Sequence, residues 1–206
     1  FYKNKEDITK IFHNTSYNCL VVGPGAGSGE NLIFILKAAL EKKMKIIIDA
    51  DGINFFQDKI EVLKSFIFKN KNIVLTPHEK EFKRLFKDLE GCKIERAKFA
   101  SRFLGTNIIF KGTDTILVSS NNQIVINYNA PPDLATAGSG DVLAGIIGGL
   151  AANGMSIFSA SCMGVWLHGE SARIHGKGLI ADDLVELIPM SLANLNYKKW
   201  KNDYKI

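Results

Sequence analysis

The 206-residue chain is 46% hydrophobic with a formal net charge of +5, enough apolar content for one good core and one domain. Three widely spaced cysteines, Cys19, Cys92 and Cys162, form no Cys-x-x-Cys pair, which argues against a disulfide framework or a zinc site and for a reducing, cytoplasmic setting. No apolar run reaches the ~18 residues of a membrane span, the first residues lack a signal-peptide pattern, and apart from the tail Tyr197 to Lys205 the lysines are scattered as on a solvated face, so neither a membrane nor nucleic acid is expected as a partner.

Apolar, β-rich runs alternate with helical patterns, which predicts an α/β fold with a mostly parallel sheet covered by helices. Cys19 to Val22 reads as a short strand running into the glycine loop Gly23 to Gly29, and Leu32, Ile33, Ile35, Leu36, Ala39 and Leu40 then make a helical stripe. Lys45 to Ile48 is the next strand, ending in Asp49-Ala-Asp-Gly. Ile73 to Leu75 is the third, stopped by Thr76-Pro-His, with a helix marked by Phe82, Leu85, Phe86 and Leu89. A helix around Ile94 to Leu104 ends at Gly105, a good C-cap. Asn107 to Phe110 is a strand closed by Lys111-Gly112, and Thr115 to Val118 with Gln123 to Asn127 alternate like an antiparallel hairpin. The last third is helical through Asp141 to Ala152, Ser156 to Ile174 and Asp182 to Leu195, broken at Gly176 to Gly178.

The most informative stretch is Ala137-Gly-Ser-Gly-Asp141, directly before an apolar helix. A helix starting at about Ser139 to Asp141 turns its unpaired amides and the positive end of its dipole toward whatever the loop holds, which makes an anion site. Asp141 in the same turn is placed to take a proton from a hydroxyl held there. The structural alternative is an Asp N-cap with glycines chosen for packing. Four further loops follow the carboxyl ends of strands: Gly23 to Gly29, Asp49 with Asp51, Thr76 to His78, and Lys111 with Gly112. Ligands of open α/β sheets bind along that edge. Gly23-Pro-Gly-Ala-Gly lacks the dinucleotide spacing and reads as a turn or as a loop that lets backbone approach a ligand. Asp49 and Asp51 either help hold a hydrated magnesium ion or close turns, His78 orients a substrate or caps its helix, and Lys111 neutralises phosphate or is simply exposed. Glu81, one turn beyond His78, is expected on the same side. His168 and Trp166, in an apolar helix, read as packing.

Taken in order, Gly23-Pro-Gly-Ala-Gly, Asp49-Ala-Asp-Gly-Ile-Asn, Thr76-Pro-His with Glu81-Phe and Arg84-Leu, Lys111-Gly-Thr-Asp-Thr, and Ala135-Thr-Ala-Gly-Ser-Gly-Asp-Val-Leu-Ala-Gly resemble the ADP- or ATP-dependent NAD(P)H-hydrate dehydratases of the ribokinase-like superfamily, from about Val21 to Pro189. The resemblance implies a ribokinase-like fold and a repair reaction that returns hydrated NADH or NADPH to the working cofactor at the expense of ADP or ATP with Mg2+. It implies Asp141 as the reactive base; Lys111, Gly112, Thr113, Asp114 and Thr115 with Gly138, Ser139 and Gly140 around the nucleotide; and Gly25, Gly27 and His78, with Asp141, around the substrate. No metal ligand is assigned. The chain departs from the usual pattern at Glu79-Lys80, where the family has proline-glycine, at Pro132-Asp-Leu, and at Ser171-Ala-Arg. The family domain also implies further strands and helices ahead of the first glycine loop, so residues 1–206 are expected to be one ribokinase-like domain incomplete at its amino terminus. The same resemblance implies a homo-oligomer that works with an NAD(P)H-hydrate epimerase, in some proteins fused ahead. Two readings stay open beside the dehydratase: a small-molecule kinase of the same superfamily acting on a vitamin-precursor alcohol, and a nucleotide-binding protein without activity.

Overall fold

A computed structural model describes residues 8, 10–12, 16–27, 31–87 and 89–195. Its strands are β1 (Cys19–Val22), β2 (Lys45–Ile48), β3 (Ile73–Leu75), β4 (Asn107–Phe110), β5 (Thr115–Val118) and β6 (Ile124–Asn127). They form one sheet in sequence order, parallel from β1 to β4 and antiparallel from β4 to β6. The helices are α1 (Leu32–Glu41), α2 (Asp51–Asn54), α3 (Ile60–Lys69), α4 (Glu79–Leu85), α5 (Lys93–Leu104), α6 (Ser139–Ala152), α7 (Ile157–His175) and α8 (Ala181–Ala193), with a 3-10 turn at Pro132–Leu134. The helix marked by Phe82 to Leu89 begins earlier and stops at Leu85, and the second hairpin strand starts at Ile124 rather than Gln123. Ser28 and Gly29, the end of the expected glycine loop, lie outside the described residues.

Strands β1 to β5 are continuous apolar runs because both faces of the sheet are covered there. Side chains alternate across a strand, so Ile46 and Ile48, Ile73 and Leu75, and Ile108 and Phe110 pack with α1, α3, α4 and α5 on one face. Ile47, Val74, Ile109 and Leu117 pack with α6 and α7 on the other. Consecutive parallel neighbours need crossovers of one hand, which sends every connecting helix between β1 and β4 to the same face and leaves the opposite face for the carboxyl-terminal helices. Two glycines bring those helices close. A Cβ at Gly148 would meet Val21 Cγ2 at 2.5 Å, and one at Gly164 would meet Ile147 Cγ1 at 2.6 Å. The carboxyl end of α6 is held by Lys45, whose Nζ donates to the Ala151 and Met155 carbonyls, each at 2.8 Å. A cation there also suits the helix dipole.

Candidate active site at the carboxyl edge of the sheet

The parallel strands end in near register, Val22 beside Ile48, Ile48 beside Leu75 and Leu75 beside Ile108, so the loops after them stand in a row. The ladder continues one step past the strands, with the Asp49 amide donating to the Val22 carbonyl at 3.0 Å and the Lys111 amide to the Pro77 carbonyl at 2.9 Å. Gly23 has φ +122° and lies so close to the next loop that a Cβ would overlap the Asp49 carbonyl; only glycine lets these two loops touch. The turn it opens presents Gly25 and Gly27 with open space above them, and the Gly27 amide donates to Asp51 Oδ2 at 2.9 Å. Asp51 therefore closes a turn.

Asp49 is 1% exposed and receives Lys111 Nζ on Oδ1 at 2.7 Å. A buried carboxylate requires such a partner, and truncating either one leaves the other charge stranded. Gly140 stands over this pair, its notional Cβ 3.4 Å from Lys111 Nζ and 4.0 Å from Asp49 Oδ2. The first turn of α6 thus rests on the lysine at the end of β4. The N-cap of α6 is Gly138, left-handed at φ +83° with no side-chain cap, and Asp141 lies within the first turn. Asp141 is therefore not the cap. It is exposed, and among the described residues no hydrogen bond or ion pair engages its carboxylate. Ser139 is fixed by its hydroxyl, which donates to the Leu134 carbonyl at 2.9 Å. His168, read from sequence as packing, lies behind this turn. It is 8% exposed and meets the Ser139 backbone, while its Nε2 has no partner among the described residues. Burial pushes the imidazole down to about 4, with nearby Lys111 adding to the shift against the Ser139 contact. Only tertiary packing sets it apart from an ordinary core histidine.

His78 closes a capping box: its Nδ1 accepts from the Glu81 amide at 3.1 Å while Glu81 Oε2 accepts from the His78 amide at 2.8 Å. Glu81 shares its side, as expected, and is buried. The ring leaves nearly half its surface open at the end of β3. In the loop after β4, Thr113 and Asp114 are exposed, whereas Thr115 is buried and its hydroxyl donates back to the Gly112 carbonyl at 3.4 Å. The fold gathers Lys111, Asp49, Gly140, Ser139 and His168 into one cluster; no hydrogen bond or ion pair of the described residues ties His78 or Thr113 to it. Among the described residues no group of three His, Cys, Asp or Glu side chains is arranged to hold a metal, and no helix is long and apolar enough to cross a membrane. Two surface grooves lie away from this edge, one along α1 and α3 and one on the outer side of α5. Both are lined largely by helical surface side chains and neither contains a residue of the row of loops.

A family model described as NAD(P)H-hydrate dehydratase matches residues 2–189. The chain is 31% identical over 201 residues to a bifunctional NAD(P)H-hydrate repair enzyme of Dictyoglomus turgidum, covering 93% of this chain and 38% of that protein. It is 34% identical over 163 residues to an ADP-dependent (S)-NAD(P)H-hydrate dehydratase of Neisseria meningitidis, covering 76% of this chain and 55% of that one. The chain thus spans between about a third and just over half the length of the first curated relatives it matches. In fold it is similar to the ADP/ATP-dependent NAD(P)H-hydrate dehydratase of Bacillus subtilis, co-crystallised with ATP/Mg2+ and soaked with CoA, at a TM-score of 0.75 and 23% identity over 94% of this chain and 72% of that one.

Proposed function

The chain belongs to the NAD(P)H-hydrate dehydratase family, and from that premise we propose that it restores hydrated NADH or NADPH by ADP- or ATP-dependent dehydration. The observation that carries this reading is the first turn of α6: an open helix amino terminus seated on Lys111, with the unengaged carboxylate of Asp141 beside it. Asp141 takes the proton from the ring hydroxyl as that oxygen attacks the terminal phosphoryl group, and the shortened nucleotide leaves. The open amides of Gly138 and Gly140 face the charge that develops on the phosphoryl oxygens, with Ser139 between them held by its own amide on the Thr136 carbonyl at 3.3 Å. The ring nitrogen then expels phosphate by breaking the carbon–oxygen bond, and loss of a proton from the neighbouring ring carbon restores the double bond. Little beyond positioning is asked of the protein.

In this reading Lys111, Gly112, Thr113, Asp114 and Thr115 lie along the nucleotide, and Gly25, Gly27 and His78 border the hydrated ring. Mg2+ fits as an ion carried on the nucleotide phosphates, since such ions take one or two carboxylates plus phosphate oxygens rather than a protein cage. Asp49, whose Oδ2 points toward Gly140, is the carboxylate placed to meet it. The ion supplies neutralisation of phosphate charge. We also infer a cytoplasmic protein that self-associates and acts with an epimerase for the hydrate. The apolar edge strand β6, with Ile124, Val125 and Ile126 exposed, supports self-association.

The test is direct. Hydrated NADH mixed with the protein, Mg2+ and ATP or ADP regains the absorbance of the reduced nicotinamide, and Asp141→Asn abolishes that recovery while nucleotide still binds. A phosphorylated alcohol that accumulates without elimination would instead favour a small-molecule kinase. Nucleotide binding with no turnover by the wild type would sink the dehydratase reading.

A further inference from the structure

The loop carrying His78 and the loop from Lys111 to Thr115 are separate in sequence, yet both are gripped by the first turns of α5. Arg96 donates from Nη1 and Nη2 to the two oxygens of Glu79 at 2.8 and 3.0 Å. Glu79 immediately follows His78 and is one of the two residues at which the chain departs from the proline-glycine that its sequence resemblance implies. Lys93, three residues before Arg96 and so on the same helix face, donates to the Asp114 main-chain carbonyl and meets Asp114 Oδ1 at 3.2 Å. A Cβ at Gly112 would strike the Lys93 ammonium. Both cations lie over one ring, that of Phe110, at 5.2 Å for Lys93 and 5.1 Å for Arg96. Phe110 precedes Lys111 in the chain, and its ring stacks on Phe82 of α4 at 4.2 Å and 5°.

A cation in the first turns of a helix opposes the helix dipole. Lys93 and Arg96 need a local reason to be there, and each has an acid from a different site loop. The Arg96 hydrogen bonds hold the Glu79 carboxyl below its usual range. At Asp114 desolvation opposes ionisation, but the Lys93 contacts prevail and hold that carboxyl low as well. Glu79 thus adds no free negative charge at the rim of the site.

We propose that Arg96 and Lys93 are positioning residues that couple the two loops: Arg96 fixes the His78 loop through Glu79, Lys93 fixes the 111–115 loop through Asp114, and the shared Phe110 ring transmits a disturbance of one to the other. The assignment of residues 111–115 to the nucleotide rests on the function proposed above; the coupling itself does not. It accounts for the Glu79 departure as an anchor and not as a change in substrate preference.

Arg96 touches no atom of residues 111–115 in any hydrogen bond described, so its removal there is diagnostic. In Arg96→Gln, hydrogen exchange of the Gly112 to Thr115 amides is expected to speed up severalfold in the ligand-free protein, and the Kd for ATP with Mg2+ to rise about threefold to tenfold. Arg96→Lys keeps the charge but loses the bidentate fork, and it should not rescue either effect. Arg102→Gln, which removes a surface hydrogen bond to Asn122 from the same helix, should leave both unchanged. The double variant Glu79→Gln, Asp114→Asn should depart from additivity in Kd by at least twofold. If Arg96→Gln lowers the melting temperature but leaves exchange at 112–115 as in the wild type, Arg96 is merely structural and the proposal is overturned. If exchange rises but the wild type binds no nucleotide, the coupling stands and the functional reading falls.

Discussion

Lys111 and Asp49 meet across 62 positions of sequence, and neither could be read as a pair from its own neighbourhood. With Asp49 buried, Lys111→Met leaves a carboxylate without its counter-ion, for which a loss of about 3–5 kcal/mol is expected in urea unfolding. The double variant Lys111→Met, Asp49→Asn should recover much of that, since the charge goes with its partner. His168 makes a second residue-level prediction with a defined sign. Its imidazole is pushed from 6.5 to about 4 by burial, with Lys111 adding to it, so the unfolded chain binds the proton more readily than the folded one. Its contribution is fully present above about pH 6.5 and is lost as pH falls toward 4, by about 3 kcal/mol in total at ~1.4 kcal/mol per unit. His168→Gln should remove this component, so that the wild-type and variant stabilities converge by that amount between pH 7 and pH 4 in denaturant titrations. Ala50, between Asp49 and Asp51, has φ +46° and ψ −121°, a conformation that costs a side chain on the order of 1–3 kcal/mol. Ala50→Gly is expected to raise the unfolding midpoint, the relief of strain exceeding the ~1 kcal/mol entropic cost of glycine.

At the level of elements, the strands were legible because a sheet covered on both faces demands unbroken apolar runs, and β1 to β5 fall where Cys19, Lys45, Ile73, Asn107 and Thr115 open such runs. The start of α6 was legible for a different reason, since Gly138 and Gly140 with Asp141 announce a helix start. That Asp141 lies inside the turn and does not cap it emerges only in the structure. The short α2 after Asp49 escaped, and so did α3. Its stripe is blurred because Val62 and Phe68 point outward, Phe68 at 80% exposure, and the 3.6-residue period is lost among β-formers. His168 escaped because nothing in Trp166-Leu-His-Gly reveals that the far side of α7 meets the α6 turn. The same helices separate packing from propensity. Gly149 of α6 has open space around it while Gly148 lies against Val21. Gly149→Ala should stabilise by about 0.5–1 kcal/mol through helix propensity, whereas Gly148→Ala should cost about 1–3 kcal/mol because α6 must lift from β1. Thermal melts of the two variants should therefore move in opposite directions.

For the molecule as a whole, β6 is an outer strand of the sheet, with Ile124, Ile126 and Tyr128 exposed at 40%, 47% and 87%. Such an edge invites pairing with another chain, and Ile126→Lys is expected to shift the sedimentation profile toward smaller species. α6 adds a property that no single residue holds. Lys45 satisfies its carboxyl end from within the protein, while at the amino end the Ser139 amide donates to the Thr136 carbonyl at 3.3 Å and the Gly138 and Gly140 amides have no protein acceptor among the described residues. Two amides of that turn are thus left open, and on the function proposed above an anion docked against them completes the turn as well as the site. Folding and occupancy are then linked by mass action: inorganic phosphate alone, without nucleotide or substrate, should raise the melting temperature in proportion to the logarithm of its concentration.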